Sequence, residues 1–480
     1  MTTHGEHAFT NMNPRVREGL NVVSRRGVLK AGLAGMAGLS LPDLLRFRVE
    51  AANSNRPISH RSVILLWMTG GPSHIDTWDM KPHRPYMNRG PFSPISTSLP
   101  GIQICEHLPL QAAMMDKFTV IRSVDCRNSS HQPNQVIQTG NRAAAPRVNP
   151  VKGPKYPAIA SICSKMRGSN DPGMPPYVVF QKHPTHVAWG GYLGKRYDPF
   201  DGNKAAKLPV YDLLGKDLGR MSGADMFRLP TELNHDRLYD RKSLLTDFDR
   251  LRNGLDQNGS MDAMDHYSQQ AVELVLGGKA REAFDLSKEP AKNRERYGSH
   301  LWQQQALLAR RLVEAGVSFV TIDMSYHTAS GTWDNHGIPG GVYGGISKGL
   351  RPLLDIFDRL HTTLVSDLCE RGLLDEVLVI AMGEFGRTPN MGTQNSVDGR
   401  NHWPVVMSMS LAGGGMRHGQ VIGSSENDGG HIKERPVTPG DLAATIYRHM
   451  GVPLDATYLD ERGRPLYAVQ ENGQPVAELF

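Results

Sequence analysis

Acidic and imidazole side chains recur in this chain at the ends of apolar runs, and that placement needs a physical reason. His74, Asp76 and Asp79 follow the run Val63–Met68; Asn128, Ser129, Ser130 and His131 follow Phe118–Val124. Asp323 and then Trp333-Asp334-Asn335-His336 follow Val317–Ile322, Glu384 and Arg387 follow Val377–Met382, and Asn401-His402-Trp403 sits just before Val405–Leu411. Carboxylates and imidazoles gathered on one edge repel one another or distort their own titration unless a cation joins them. A divalent metal is therefore the expected cofactor. Mixed Asp/Glu/His ligation suits zinc, manganese or iron, and a largely oxygen set suits calcium or magnesium. Two neighbouring ions would clamp the attacking and leaving oxygens of a phosphoryl or sulfuryl transfer. The chemistry expected is metal-dependent hydrolysis.

Each candidate has a plainer alternative. Asp334 and His336 lie two apart in a Gly-rich loop (Gly331, Gly337, Gly340, Gly341), where strand-like alternation lets both face one ion; the alternative is a solvated turn. Glu384 follows six apolar residues directly, where an unpaired carboxylate is costly, so it either ligates or pairs with Arg387. Arg387 could instead hold a substrate anion through its planar fork. His402 reads equally as a ligand or as a hydrogen-bonded core histidine. Asp76 suits a hard cation better than His74 does, and either could cap a turn after Pro72. Gly345-Ile346-Ser347-Lys348-Gly349 matches G-x-S-x-G but follows a Gly-rich loop and not a strand, so it lacks the context of a nucleophile elbow. Gly413-Gly414-Gly415-Met416-Arg417-His418 has histidine where the dinucleotide fingerprint needs its third glycine, and reads as a turn.

Positioning these groups falls to strands and helices that the pattern makes legible. The apolar runs above, together with Tyr177–Phe180, have strand length and are continuous, as in strands covered on both faces. Gln304–Ala315 carries Leu307, Leu308 and Leu312 on one face and stops at Gly316; Leu353–Leu368 repeats the pattern before Gly372. Thr438-Pro439-Gly440-Asp441 has the spacing of a capping box with proline at the first helical position. This alternation predicts an α/β fold, a doubly wound, mostly parallel sheet with helices on both faces, in which ligands collect outside the carboxyl ends of the strands. A polar helical stretch from about residue 205 to 300 (Leu238–Leu255, Met261–Leu276, Ala280–Leu286) reads as an insertion packed against that sheet.

The N-terminus reads as an address. Ser24-Arg25-Arg26-Gly27-Val28-Leu29-Lys30, followed by the weakly apolar Ala31–Leu45, resembles a twin-arginine export signal, too short and Gly-rich to span a bilayer comfortably. Residues 1–51 are thus expected to be a signal segment recognised by the twin-arginine machinery. Residues 52–480 would be a folded domain in the periplasm or outside the cell, with no membrane span in the mature chain. At 480 residues the chain exceeds the size of an ordinary single core, which agrees with one large domain carrying an insertion. Residues 1–51 account for half of the formal charge of +6, and no basic block interleaved with aromatics follows, so a nucleic-acid partner is not expected. The four cysteines form no C-x-x-C pair, which excludes a zinc ribbon or a dense disulfide framework.

Taken together, several segments resemble the exported domain-of-unknown-function 1501 family, itself similar to the alkaline phosphatase and sulfatase superfamily. They are Ser73-His74-Ile75-Asp76-Thr77-Trp78-Asp79-Met80-Lys81-Pro82, His131 with Thr139-Gly140, Ala283-Phe284-Asp285 with Arg296-Tyr297-Gly298, and Leu308-Ala309-Arg310-Arg311-Leu312-Val313-Glu314-Ala315-Gly316. Trp333-Asp334-Asn335-His336, Gly383-Glu384-Phe385-Gly386-Arg387-Thr388-Pro389 and Gly399-Arg400-Asn401-His402-Trp403-Pro404 complete the set. The resemblance covers about residues 60–470 and implies an alkaline-phosphatase-like fold. It further implies a first-strand metal carboxylate near Asp76 with His74 as competitor, a nucleophile at Ser129 or Ser130, metal ligands at Asp334 and His336, and a late histidine ligand at His402. Where the superfamily places an adjacent Asp-His pair this chain has Glu384-Phe385, which removes an imidazole that His131 could replace. No Cys/Ser-x-Pro-x-Arg signature is present, against an ordinary formylglycine-type sulfatase. Two functions are expected on this basis: an exported metal-dependent hydrolase of phosphate or sulfate esters acting on a small molecule or glycan, or a non-catalytic binding protein for sulfated or phosphorylated glycans on the same scaffold.

Overall fold

The computed structural model describes residues 15–17, 20–22, 60–131, 135–146, 151–152, 155–206, 208–211, 217–220, 278–326, 331–337, 344–393 and 395–480. Met1–Ser59 and His60–Phe480 separate into two units. In the first, Arg15–Arg17 pairs antiparallel with Leu20–Val22, and the twin-arginine segment lies outside the described residues.

In the second unit, eight strands form one sheet: β1 (Ser62–Trp67), β2 (Phe118–Val124), β3 (Tyr177–Phe180), β4 (Phe200–Asp201), β5 (Phe319–Asp323), β6 (Val377–Met382), β7 (Met407–Gly413) and β8 (Gln420–Ile422). Their spatial order is β8-β2-β7-β6-β1-β5-β3-β4. All pairings are parallel except the two made by β7, which runs antiparallel to β6 and β2. β4 and β8 are two- and three-residue edge strands, too short to leave a periodic signal in the sequence.

Strand alternation sorts the apolar residues into two cores. Ile64, Leu66, Val320, Ile322, Val379 and Ala381 face one side, against the helices α2 (Leu301–Ala315) and α3 (Arg351–Glu370). Val63, Leu65, Trp67, Leu378, Ile380 and Met382 face the other, against α1 (Ile159–Arg167) and α4 (Pro439–Met450). The doubly wound α/β layering expected from the sequence is therefore present. Each Val, Leu, Ile and Met among them contributes about 1.5–3 kcal/mol on burial, so the central strands are not free to slide. At α4 the capping box forms as its spacing requires: Asp441 N–H donates to Thr438 Oγ1 (3.1 Å) and Thr438 N–H to Asp441 Oδ2 (2.9 Å). Of the expected insertion, the helix Lys279–Phe284 packs in the α2–α3 core, whereas Leu238–Leu255 and Met261–Leu276 lie outside the described residues.

Candidate metal centre

The carboxyl ends of β1, β2, β5 and β6 open on one edge, and four loops meet there. After β1 the chain turns through Gly70, whose φ of +119° is open to glycine alone and whose Cβ, if it had one, would lie 2.3 Å from Asp334 N. Trp333 N–H donates to Thr69 O (3.0 Å), which pins the loop after β5 onto the end of β1. Gly386–Arg387 and His402–Trp403 then form a two-residue antiparallel ribbon with Arg387 opposite His402. That ribbon carries the chain from β6 into the antiparallel β7, and brings His402 back over the same edge.

His131, Asp334 and His402 bring one donor atom each to within 4.8 Å of one another, and His336 joins them. His402 Nε2 lies 2.8 Å from His131 Nε2 and 2.8 Å from His336 Nε2. The Asp334 carboxylate is 2.9 Å from His336 Nε2, 3.2 Å from His131 Nε2 and 3.3 Å from His402 Nε2. Phe385 packs its ring against His131 (4.8 Å between centroids) and His402 (4.9 Å), walling one side of the cluster with an apolar face. Three imidazole nitrogens and a carboxylate aimed at one another fit a metal ion: an imidazole lone pair facing another needs a proton or a cation between them.

Glu384 stands one step behind this set. Both of its oxygens accept from Gly70 N–H (2.9 and 3.0 Å), and Oε1 accepts from His131 Nδ1 (2.7 Å). A carboxylate on Nδ1 fixes the imidazole with its Nε2 lone pair outward, the arrangement that orients histidine ligands. Glu384 thus contacts His131 and backbone, not the point where the other donors meet. Burial disfavours the charge on His131, but Asp334 and Glu384 outweigh it and raise its pKa. On Asp334, Arg387 and the three histidines overcome burial and push the carboxyl well below the usual range. His402 is lowered to about 4, chiefly by burial.

Other expected site residues are engaged elsewhere. Asp76 is buried in an ion pair with Arg400 (Oδ2 to Nε 2.6 Å) and accepts from Ser73 Oγ (2.5 Å). His74 is buried beneath the ribbon, Nε2 bonded to Gly429 O (2.8 Å), Nδ1 facing Arg387 N. The first-strand carboxylate of the sequence reading is thus engaged with Arg400, and it is not among the donors grouped with Asp334. Arg387 is 0% exposed and spends its guanidinium on Asp334 Oδ1 (2.5 Å) and on the carbonyls of Gly70, Gly71 and Arg400, so it braces Asp334 and is not open to a substrate anion. Ser129 and Ser130 sit two and one residues before His131. Ser129 is buried, and its Oγ has no hydrogen-bond partner among the described residues; Ser130 is half-buried. The sequence reading missed Arg400, which also binds the carbonyls of Thr388, Pro389 and Asn88. It missed His186 as well, whose Nδ1 meets Asp323 Oδ2 at 2.9 Å in the same layer. Arg400 stood beside Asn401-His402-Trp403 but nothing local tied it to Asp76, and His186 lay in no strand-end cluster.

The family described as "Protein of unknown function (DUF1501)" matches residues 60–480. Among solved structures the chain is similar to the PsFucS1 sulfatase from Pseudoalteromonas sp., at 13% identity and a TM-score of 0.35, with 90% of this chain and 73% of that one covered. It is also similar to Ps i-CgsB (11%, TM-score 0.39, 86% and 74% covered) and to the phosphonate monoester hydrolase SpPMH from Silicibacter pomeroyi (12%, TM-score 0.31, 77% and 71% covered). At these scores the site has to be argued from its own geometry. No curated protein matches the chain in sequence.

Proposed function

The chain belongs to the DUF1501 family, and for this member we propose the activity of an exported metal-dependent hydrolase of phosphate or sulfate esters. The observation that supports it is the meeting of His131, His336 and His402 Nε2 with the Asp334 carboxylate at a strand-end edge, the place where ligands collect in such sheets. His131, His336, His402 and Asp334 would hold a divalent ion, which would supply Lewis-acid polarisation of the ester and positive charge for a developing oxyanion. The chain's own part is positional. Arg387 locks the Asp334 carboxylate from behind, and Glu384 locks the ring of His131. Phe385 keeps water from one flank. Ser129, buried and with no hydrogen-bond partner for its hydroxyl among the described residues, is the better nucleophile of the two serines; its Oγ would bond to phosphorus or sulfur as the bond to the alcohol breaks, the serine proton leaving with the alcohol, and water would then cleave the serine ester.

The second reading is a non-catalytic binding protein for sulfated or phosphorylated glycans, and it is favoured by Glu384, which orients His131 and bonds Gly70 N–H in place of acting as a further ligand. A screen of aryl phosphates, aryl sulfates and sulfated polysaccharides with added zinc, manganese, iron or calcium separates the two. Turnover that disappears in His336→Ala, and in Ser129→Ala with metal retained, supports the hydrolase. Saturable glycan binding without turnover under every metal supports the binding protein instead. Export by the twin-arginine route, with a small-molecule or glycan ester as substrate, belongs to the same proposal. Among the described residues no helix is long and apolar enough to cross a membrane.

A further inference from the structure

The donor set says more than that a metal binds. We infer that the centre takes a single transition-metal ion on Nε2 of His131, His336 and His402 and the carboxylate of Asp334, and that it rejects calcium. This rests on the metal reading above and sharpens it.

Donor chemistry comes first. Calcium takes six to eight oxygen ligands, whereas imidazole suits zinc, iron and their neighbours. Here three of the four converging atoms are imidazole nitrogens, and the one carboxylate already shares its charge with Arg387. Among the described residues the converging donors include one carboxylate and no oxygen-rich cage. The donors stand close enough to share one ion: His402 Nε2 is 2.8 Å from His131 Nε2 and 2.8 Å from His336 Nε2, and the Asp334 carboxylate lies 2.9 to 3.3 Å from all three.

The count of one follows from what the other carboxylates are doing. A second ion needs its own anionic ligands, and among the described residues the other strand-end carboxylates of the sequence reading are engaged. Asp76 holds Arg400 and Ser73; Asp79 holds Lys81 (2.9 Å) and Ser425. Asp323 accepts from Thr69 Oγ1, His186 Nδ1 (2.9 Å) and Lys182 N (2.7 Å). Glu384 holds Gly70 N–H and His131 Nδ1. Among the described residues, groups of three such donors come together only around Asp334 and His402.

Metal content of the full chain tests this without any activity assay. Chelator-stripped protein is equilibrated separately with Zn2+, Mn2+, Co2+ and Ca2+, desalted, and read by elemental analysis, with the Co2+ absorption spectrum reporting nitrogen ligation. The expected result is one equivalent of zinc, manganese or cobalt and no retained calcium. His336→Ala and His402→Ala should each weaken zinc at least about 10-fold while thermal melts show a folded chain. If those variants unfold, the wild-type stoichiometry and spectrum decide alone. Two equivalents, or stoichiometric calcium, overturn the inference but leave the hydrolase reading standing. Folded protein that retains no metal at all overturns both.

Discussion

Glu384→Gln isolates the step between backbone and metal. Glu384 is buried and makes three contacts: two from Gly70 N–H and one from His131 Nδ1 at 2.7 Å. Glutamine keeps the shape but offers one acceptor and one amide N–H2. If its oxygen stays on Gly70, its N–H2 meets Nδ1, and the ring proton moves to Nε2, where it blocks the ligand position. If its oxygen turns to His131, Gly70 N–H faces an amide donor and a buried backbone group loses its partner, at about 1–3 kcal/mol. Either way the metal-competent arrangement is disfavoured. Losing an orienting carboxylate of this kind weakens metal binding about 10–100-fold, or about 1.4–2.7 kcal/mol. Titration calorimetry with zinc on wild type and variant reads the affinity, and melting curves of the stripped proteins read the fold. Zinc affinity within about twofold of wild type, with the fold intact, would refute the orienting role of Glu384.

Asp76→Asn should leave zinc affinity nearly unchanged while destabilising the fold by about 3–5 kcal/mol, because it strips the buried Arg400 of its counter-charge; a chemical-denaturation midpoint alongside zinc titration checks both halves. His361 is buried in the core against Phe118 and Phe357, neither ring nitrogen has a hydrogen-bond partner among the described residues, and burial lowers its pKa to about 3. The unfolded chain therefore binds the extra proton first as pH falls below about 6.5, and this one group withdraws about 2 kcal/mol of stability by pH 5. His361→Phe should remove that loss and raise stability at pH 7 by about 1–3 kcal/mol, seen as urea midpoints that depend less on pH between 7 and 5. Burial opposes ionisation of Glu289, but Arg310 (2.5 Å), Asn293 and Arg311 outweigh it and lower its pKa to about 2. Its contribution is whole above about pH 4.5 and is lost as pH falls towards 2. Glu289→Gln should cost about 3 kcal/mol near neutrality, at the low end for a broken buried pair because Asp367 still faces Arg310, and the acid limb of a melting-temperature profile should flatten.

Continuous apolar runs made the strands legible: β1, β2, β3 and β6 begin and end within a residue of the expected limits, since a strand buried on both faces has no polar alternation to blur it. Partnerships between distant side chains were not legible. Asp76 and Asp334 look alike in sequence, each an acid in a loop after a central strand. What separates them is Arg400, more than three hundred residues from Asp76, which takes one carboxylate into a structural pair, while Arg387 braces the other toward the histidines. No local pattern encodes that choice. Glu384 is a similar case: its position predicted a buried carboxylate needing partners, but only the fold shows that Gly70 N–H and His131 supply them.

The placement of His402 depends on the path of the backbone. It precedes its strand, and in an all-parallel sheet a residue before a strand lies at the amino edge, across the sheet from Asp334, Glu384 and His131. It reaches the carboxyl edge only because β7 runs against β6 and β2. The reversal has a local cause: the described residues between Met382 and Met407 form no helix, so the chain does not cross over as parallel neighbours must and returns through the Gly386–Arg387/His402–Trp403 ribbon. The same 24-residue link therefore supplies Glu384, Phe385, Arg387 and His402, with the ribbon register setting Arg387 opposite His402. A centre with a brace, an orienting carboxylate, an apolar wall and a ligand on one short connection is set by the backbone path before any metal arrives. Lengthening the ribbon by one residue would move His402 to its other face, and it should abolish zinc binding in a chain whose melting temperature is little changed.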